Sequence, residues 1–318
     1  MLWRCWIEAP GRAGYTRRVT AARRNLALGL FFGLTAAITW GSQAVVARAG
    51  TLAGFSPLDL SVLRFATAGL ILLPFAWRGR HALARVGPWR LLVLACCGGF
   101  GNSLLFGGGV VFAPATHGGT IAPITAAVTG ALFAIPALGE VPTRGRVVAL
   151  AGLALGLLLL GWDGLRGDHP GAWRGDILLF LAGAIWGGFT VLLRRWSIPA
   201  LPATAAICAI SALVVIPPWV LLGFGAVPDL SWRDAALQMG GQGIMSSVIA
   251  ISLYAKATEY LGATRAACVS TMMPVAAIIL SVTLLGESLG PLKVAGVALA
   301  VAAMLGAVLF TGRRGAAR

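Results

Sequence analysis

Ten runs of predominantly apolar residues divide this chain, at roughly 26–47, 58–77, 91–112, 118–138, 147–162, 177–193, 201–224, 235–255, 266–285 and 294–312. A helix needs about 20 such residues to cross a bilayer. Inside lipid every backbone N–H and C=O must be paired within the protein, which leaves helices and closed barrels. Barrel strands alternate apolar and polar residues, and these runs do not. The reading is an all-α integral membrane protein with ten transmembrane helices. Composition agrees: 58% of the residues are hydrophobic and 11% charged, whereas soluble domains carry about 25% charged residues. A water-soluble globule and a disordered chain are both excluded.

The first run has a rival reading. Arg17, Arg18, Arg23 and Arg24 precede it, and small residues follow at Ala44 and Ala47, as in a secretory signal peptide. Its length favours a retained span, and its Trp40-Gly41 pair recurs as Trp186-Gly187.

The net charge of +15 suggests nucleic acid until its placement is considered. With the N-terminus inside, 19 of the 25 cationic residues fall in the N-terminal tail, the even-numbered loops and the C-terminal tail. Five fall outside (Arg48, Arg166, Arg174, Arg233 and Lys293), and Arg64 lies within a span. The positive-inside rule selects this orientation. The excess charge then faces anionic cytoplasmic lipid, and no nucleic-acid partner is expected. Both termini are expected in the cytoplasm, in a bacterial-type inner membrane.

The two halves of the chain resemble each other. Trp40 and Arg48 answer Trp186 and Arg194, both at an offset of 146; Gly98-Gly99-Phe100-Gly101 answers Gly240-Gly241-Gln242-Gly243, and Leu138-Gly139-Glu140 answers Leu285-Gly286-Glu287. Matches in constant order at near-constant offset point to duplication. Each half holds five spans, an odd number, so the second enters the membrane from the opposite side. The fold expected is two inverted five-helix repeats. The expected segments are a basic tail at 1–25, a first repeat at 26–162, an external linker at 163–175, a second repeat at 176–312 and a cytoplasmic tail at 313–318. Inverted repeats are a structural basis of alternating access in secondary transporters.

These motifs resemble the EamA family of the drug/metabolite transporter superfamily. The residues that carry the likeness are Trp40-Gly41, Arg64 in Leu63-Arg64-Phe65, Glu140 and Glu287 after Leu-Gly, Pro274 and Gly296. The first half departs from the pattern at Pro123, seventeen residues before Glu140, and at Gly152. The resemblance implies secondary transport of small metabolites such as amino acids, often outward.

The candidate substrate-binding residues are Trp40, Gln43, Arg64, Asn102, Trp186, Gln242 and Ser246. Arg64 leads because a mid-span Arg costs roughly 2.5–3.5 kcal/mol on insertion scales and so faces a cavity or a partner. It would attract a carboxylate; the bland alternatives are snorkelling or pairing with Asp59, which lies five residues away and off its helical face. Trp40 and Trp186 read either as aromatic walls or as packing beside Gly41 and Gly187. Asn102 and Gln242 lie in Gly-rich segments where a helix can open. Pro123 and Pro274 are expected to interrupt corresponding helices. Glu140 and Glu287 read as caps on the helices that follow them. Lys256 and Glu259 read as a surface pair.

The three histidines fall outside the expected apolar cores, His117 in a short Gly-rich turn, and carry no metal-ligand spacing. The five cysteines (Cys5, Cys96, Cys97, Cys208 and Cys268) form no C-x-x-C pair. Neither a nucleotide-binding Gly-Lys-Ser/Thr loop nor a hydrolase motif is present. No cofactor is expected, and the partners expected are a small solute and the lipid bilayer, with a homodimer left open. A membrane-embedded lipid-modifying enzyme or a non-transporting scaffold stays open as an alternative, although three His and ten acidic residues, mostly in loops, make a poor active site.

Overall fold

The computed structural model describes residues 12–139, 144–166, 171–198, 200–229, 231–270 and 272–315. The chain is all-helical among them. The helices are α1 (Arg12–Leu52), α2 (Pro57–Arg78), α3 (Arg80–Val86), α4 (Pro88–Gly98), α5 (Phe100–Phe112), α6 (Ala115–Leu138) and α7 (Arg144–Arg166) in the first half. In the second they are α8 (Ala172–Arg195), α9 (Ala200–Leu221), α10 (Trp232–Gln238), a π-helix (Met239–Ile249), α11 (Ala250–Leu261), α12 (Ala263–Ser270), α13 (Met273–Leu285) and α14 (Pro291–Gly315). Seven helical stretches are long and apolar enough to cross a membrane, and three shorter apolar helices lie at Val147–Leu160, Met273–Leu285 and Pro291–Gly306. Together these are the ten spans expected. Here the face at which α1 begins is the near face, and the face of the α1–α2 turn is the far face.

Local chemistry explains the helix ends. Ser56 and Asp59 form a capping box at the start of α2: the Asp59 backbone N–H donates to Ser56 Oγ, and the Ser56 N–H donates to Asp59 Oδ2 at 2.8 Å. Asp59 also accepts from Trp219 Nε1 at 2.7 Å. This fully buried carboxylate is therefore spent on the α2–α9 junction and does not pair with Arg64. Gly139 and Gly286 end α6 and α13 in the left-handed conformation, at φ 68° and 66°, where a glycine meets no Cβ penalty.

Two spans are broken, and they are not the pair expected. The third span divides at Gly99, and Ser211 Oγ on α9 accepts the freed Phe100 N–H at 3.1 Å. The ninth divides between α12 and α13, with Pro274 in the first turn of α13, where its missing N–H costs nothing. Pro123 does not interrupt α6, which runs unbroken through Pro123 and Pro136. Each proline removes one intrahelical bond, and tight packing on neighbouring helices carries the helix across the gap.

The helices do not pack as two sequence halves. α1 packs against α11, α12, α13 and the π-helix; α8 packs against α4, α5 and α6. α2 lies on α9, α7 on α14 and α6 on α13. Exchanging each span for its counterpart in the other half maps this set of pairings onto itself, as a two-fold relation between inverted repeats requires. The result is two lobes, each one span from one half with two from the other. The α2–α9 and α7–α14 pairs join the halves beside them.

Lipid offers no hydrophobic drive for helices to associate, so close backbone approach must hold these lobes. On α8, Gly183 and Gly187 supply it. A Cβ at Gly183 would lie 2.4 Å from Ala122 O, and one at Gly187 would lie 2.6 Å from Gly130 N. Gly41 does the same on α1, where a Cβ would lie 2.8 Å from Met273 O. Backbone has nowhere to retreat. Gly187→Leu is therefore expected to destabilise its lobe by at least the 1–3 kcal/mol typical of overpacking, read as a fall in melting temperature and loss of monodisperse protein in detergent. An unchanged melting temperature would contradict this packing.

Candidate functional site

The π-helix is the most unusual local structure in the chain. Such widened turns are rare and recur at functional sites. Here Gly241 and Gly243 permit its close approach: a Cβ at Gly241 would meet Val46 Cγ1 at 2.8 Å, and one at Gly243 would meet Thr67 Cβ at 2.8 Å. The turn therefore presses directly onto α1 and α2. It places Gln242, Ser246 and Ser247 on one buried surface.

A continuous polar network spreads from that surface. Ser246 Oγ donates to Gln43 Oε1 at 2.6 Å, while Trp40 Nε1 donates to the Ser246 carbonyl at 3.2 Å. Trp40 and Gln43, three apart on α1, thus grip one residue. The Trp40 ring also packs on Tyr254, with centroids 5.4 Å apart. Gln242 Nε2 donates to Gln238 Oε1 at 2.6 Å, and Gln238 Nε2 donates to Val46 O at 2.9 Å. Ser247 Oγ donates to Gln242 O, five residues back, at 2.9 Å. Each of these side chains makes at least one hydrogen bond within the network.

Arg64 joins it from α2. Its Nε donates to Ser247 Oγ at 3.0 Å. It is partly exposed, unlike Leu63 and Phe65 beside it. Among the described residues it makes no ion pair, and no protein acceptor is recorded for its two Nη groups. This is a cation within the spans, bonded through Nε, with its guanidinium carbon 5.4 Å from the Phe65 ring centroid. Such a group can bind a carboxylate through two parallel N–H bonds.

Five of the seven sequence candidates (Trp40, Gln43, Arg64, Gln242 and Ser246) are brought together here. Asn102 and Trp186 lie in the other lobe. Asn102 Nδ2 donates to Ala182 O on α8 at 2.8 Å, a tie between helices. Trp186 packs on Phe189, with centroids 5.0 Å apart, beside the apolar cluster of Leu94, Ile198 and Ile207. Gln238 and Ser247 are the members that sequence reasoning missed. Gln238 lies four residues before Gln242, a spacing that marks a shared helical face. Ser247 carries no such signal, because only the π-turn brings it round to Arg64.

Three other expectations change. Glu287 does cap a helix, but not the one that follows it. Its carboxylate accepts the Ala115 N–H at 2.5 Å and the Thr116 N–H at 2.9 Å, at the start of α6. Glu140 lies outside the described residues. His117 is in the first turn of α6, buried, with Nδ1 2.7 Å from Asp176 Oδ1 on α8. His81 is in α3, and His169 lies outside the described residues. Lys256 and Glu259 form the exposed pair expected, at 2.8 Å.

Among the described residues the packing between the lobes lies towards the far face. At the far end of α1, Arg48 Nη1 donates to Val110 O at 2.7 Å and Val111 O at 2.9 Å, the last carbonyls of α5. Glu287 reaches the first amides of α6 from the other lobe. Each charge meets the helix end of opposite sign. Between these latches Ala44, Val45 and Ala115 pack with Leu280 and Leu285. By the two-fold relation α8 would make the same contacts with the eighth and ninth spans near the opposite face. Among the described residues no comparable packing joins them.

A ten-span helical protein of duplicated, interlocked halves, with Arg64 within the spans and, among the described residues, packing between lobes near one face, has the architecture of a membrane transporter. The EamA-like transporter family matches residues 27–162 and again 173–309, and the chain belongs to that family. It is a transporter and not an enzyme, which removes the lipid-modifying alternative. Relatives include the uncharacterized inner membrane transporter YedA of Escherichia coli (strain K12), 29% identical over 261 residues, 80% of this chain and 82% of the relative. Another is the uncharacterized transporter YwfM of Bacillus subtilis (strain 168), 26% identical over 284 residues, 86% of this chain and 91% of the relative. A solved crystal structure shares the fold with a TM-score of 0.61 and 22% identity, covering 90% of this chain and 97% of that one.

Proposed function

We propose that this protein is a secondary transporter, and an exporter, of small organic metabolites that carry a carboxylate, such as amino acids. It works by alternating access in the inner membrane, where its relative YedA is placed by name. The carrying observation is that, among the described residues, the lobes pack together near one face of a structure built from inverted repeats. Two equivalent halves have two equivalent ways to pack, and the alternative is reached when the lobes part at the far face and meet at the near one. The bodies that move are the two mixed lobes, not the two sequence halves. With the near face cytoplasmic, as the arginine distribution directs, the conformation seen receives solute from the cytoplasm.

Arg64 supplies the attraction for the carboxylate. Trp40, Gln43, Gln242 and Ser246 shape the wall beside it, and Asn102 and Trp186 form the matching surface of the other lobe. Proteoliposomes preloaded with a mixture of unlabelled amino acids should accumulate labelled amino acid by counterflow. Competition by carboxylate-bearing metabolites, and none by sugars, nucleosides or cationic drugs, is the result expected. Exchange of cations or nucleosides without amino acids would replace this substrate class.

A further inference from the structure

Asp176 and His117 form a buried ionisable pair that solute binding at Arg64 does not use. Both residues are more than nine-tenths buried, His117 at 1% exposure and Asp176 at 8%. They come from α6 and α8, the most closely packed helices of one lobe, through Nδ1 and Oδ1 at 2.7 Å. Asp176 Oδ2 is buried without a hydrogen-bond partner among the described residues. An ionised carboxylate left half-satisfied away from water is costly, and a proton on the pair relieves that cost. Ionisable groups within membrane spans are expensive and mark ion and proton pathways.

Their place in the latch gives the pair a task. Glu287 binds the amides of Ala115 and Thr116, immediately before His117. A positive charge on His117 lies at the positive end of α6, where it is unfavourable. The Glu287 carboxylate offsets that, but only while it is docked from the other lobe. The other charged groups at this end include Arg174 on α8, two residues before Asp176, Arg48 on α1, bonded to the α5 carbonyls, and Lys293 on α14, 3.4 Å from Ser288 O. The described residues of α5 and α13 add none, and the α7 residues Asp163 and Arg166 have undescribed side chains.

We propose that the His117–Asp176 pair is a proton-binding site that controls the far-face latch of this transporter. With the imidazole neutral and the carboxylate ionised, one proton lies between Nδ1 and Oδ1 and the pair carries one negative charge. A second proton from water makes an imidazolium–carboxylate pair. The protonated pair holds Glu287 on α6 and keeps the far face closed; parting of the latch releases the proton. Because linkage is reciprocal, proton binding must favour closure by the factor by which closure favours proton binding. This inference rests on the alternating-access reading and names the ion that regulates its far-face closure.

Hydrogen-exchange mass spectrometry on the full chain in lipid nanodiscs reads the latch without any solute. Between about pH 5 and pH 8, protection at Ala115 and Thr116 should fall, after correction for intrinsic exchange. The fall expected is about 5- to 150-fold, the usual range of coupling between sites. His117→Asn keeps an amide donor towards Asp176 but does not titrate, so its protection should be flat with pH. Glu287→Gln should lower protection at every pH. A flat wild-type profile, or an unchanged pH step in His117→Asn, overturns the proton site. Amino-acid counterflow that persists beside a flat profile removes the proton site and leaves the transport reading intact. A pH step without exchange of any solute removes the transport reading instead.

Discussion

Arg64→Ala should abolish most amino-acid exchange while leaving the protein as stable as before, or more stable. The two halves of that result have separate causes. Losing one partner of a desolvated charge pair costs about 2 kcal/mol or more, roughly 30-fold in apparent affinity. Solute is that partner here, because no carboxylate among the described residues pairs with Arg64. For stability the sign reverses. A mid-span arginine is a burden of roughly 2.5–3.5 kcal/mol on insertion scales, and the single bond to Ser247 offsets only part of it. Arg64→Lys keeps the charge without the two-pronged donor geometry and should fall between wild type and alanine. Counterflow gives the affinity and a thermal melt in detergent gives the stability. Full exchange by Arg64→Ala, or a large drop in its melting temperature, would assign Arg64 to architecture.

The second large effect is expected at Gly119, where the lobes meet. A Cβ there would lie 2.2 Å from Ala277 Cβ on α13 and 3.7 Å from Ala44 Cβ on α1. Gly187 is buried within one lobe, so its replacement breaks the fold. Gly119 is between lobes, so Gly119→Leu should wedge the far face open without unfolding either one. An overpacking cost of about 1–3 kcal/mol applied to the closed state alone shifts the equilibrium roughly 5- to 150-fold towards opening. Exchange protection at Ala115 and Thr116 should collapse, transport should stall, and the melting temperature should change little. Protection retained in Gly119→Leu would mean that the far face does not part at this seam.

Much of this protein is legible without coordinates, for a reason particular to membranes. Lipid leaves the backbone no partner but itself, so an apolar run of the right length becomes a helix. Positions of Arg48, Arg64, Trp40 and the Gly clusters could therefore be placed along their spans by counting. The exposed Lys256–Glu259 pair followed from i, i+3 spacing alone. Trp40, Gln43, Gln242 and Ser246 were recognisable as candidates because a polar side chain inside an apolar run must find a partner somewhere.

Which partner it finds is a long-range matter that spacing does not encode. Glu287 reads locally as the cap of the next helix, yet its carboxylate reaches the start of α6, 171 and 172 residues away. His117 reads as a turn residue because its apolar neighbours are glycines, and its burial comes from Asp176, 59 residues on. Ser247 meets Arg64 only because a π-turn shifts the face it presents. The sequence by itself determined the helical class, the number of spans, the duplication and the uneven distribution of charge, since each depends on residues near one another or on composition. Tertiary structure alone decided that the lobes mix the two halves, that one face is latched and that a histidine–aspartate pair is sealed between α6 and α8. Those depend on which small residues let two backbones approach, and that is known only once the helices are set against each other.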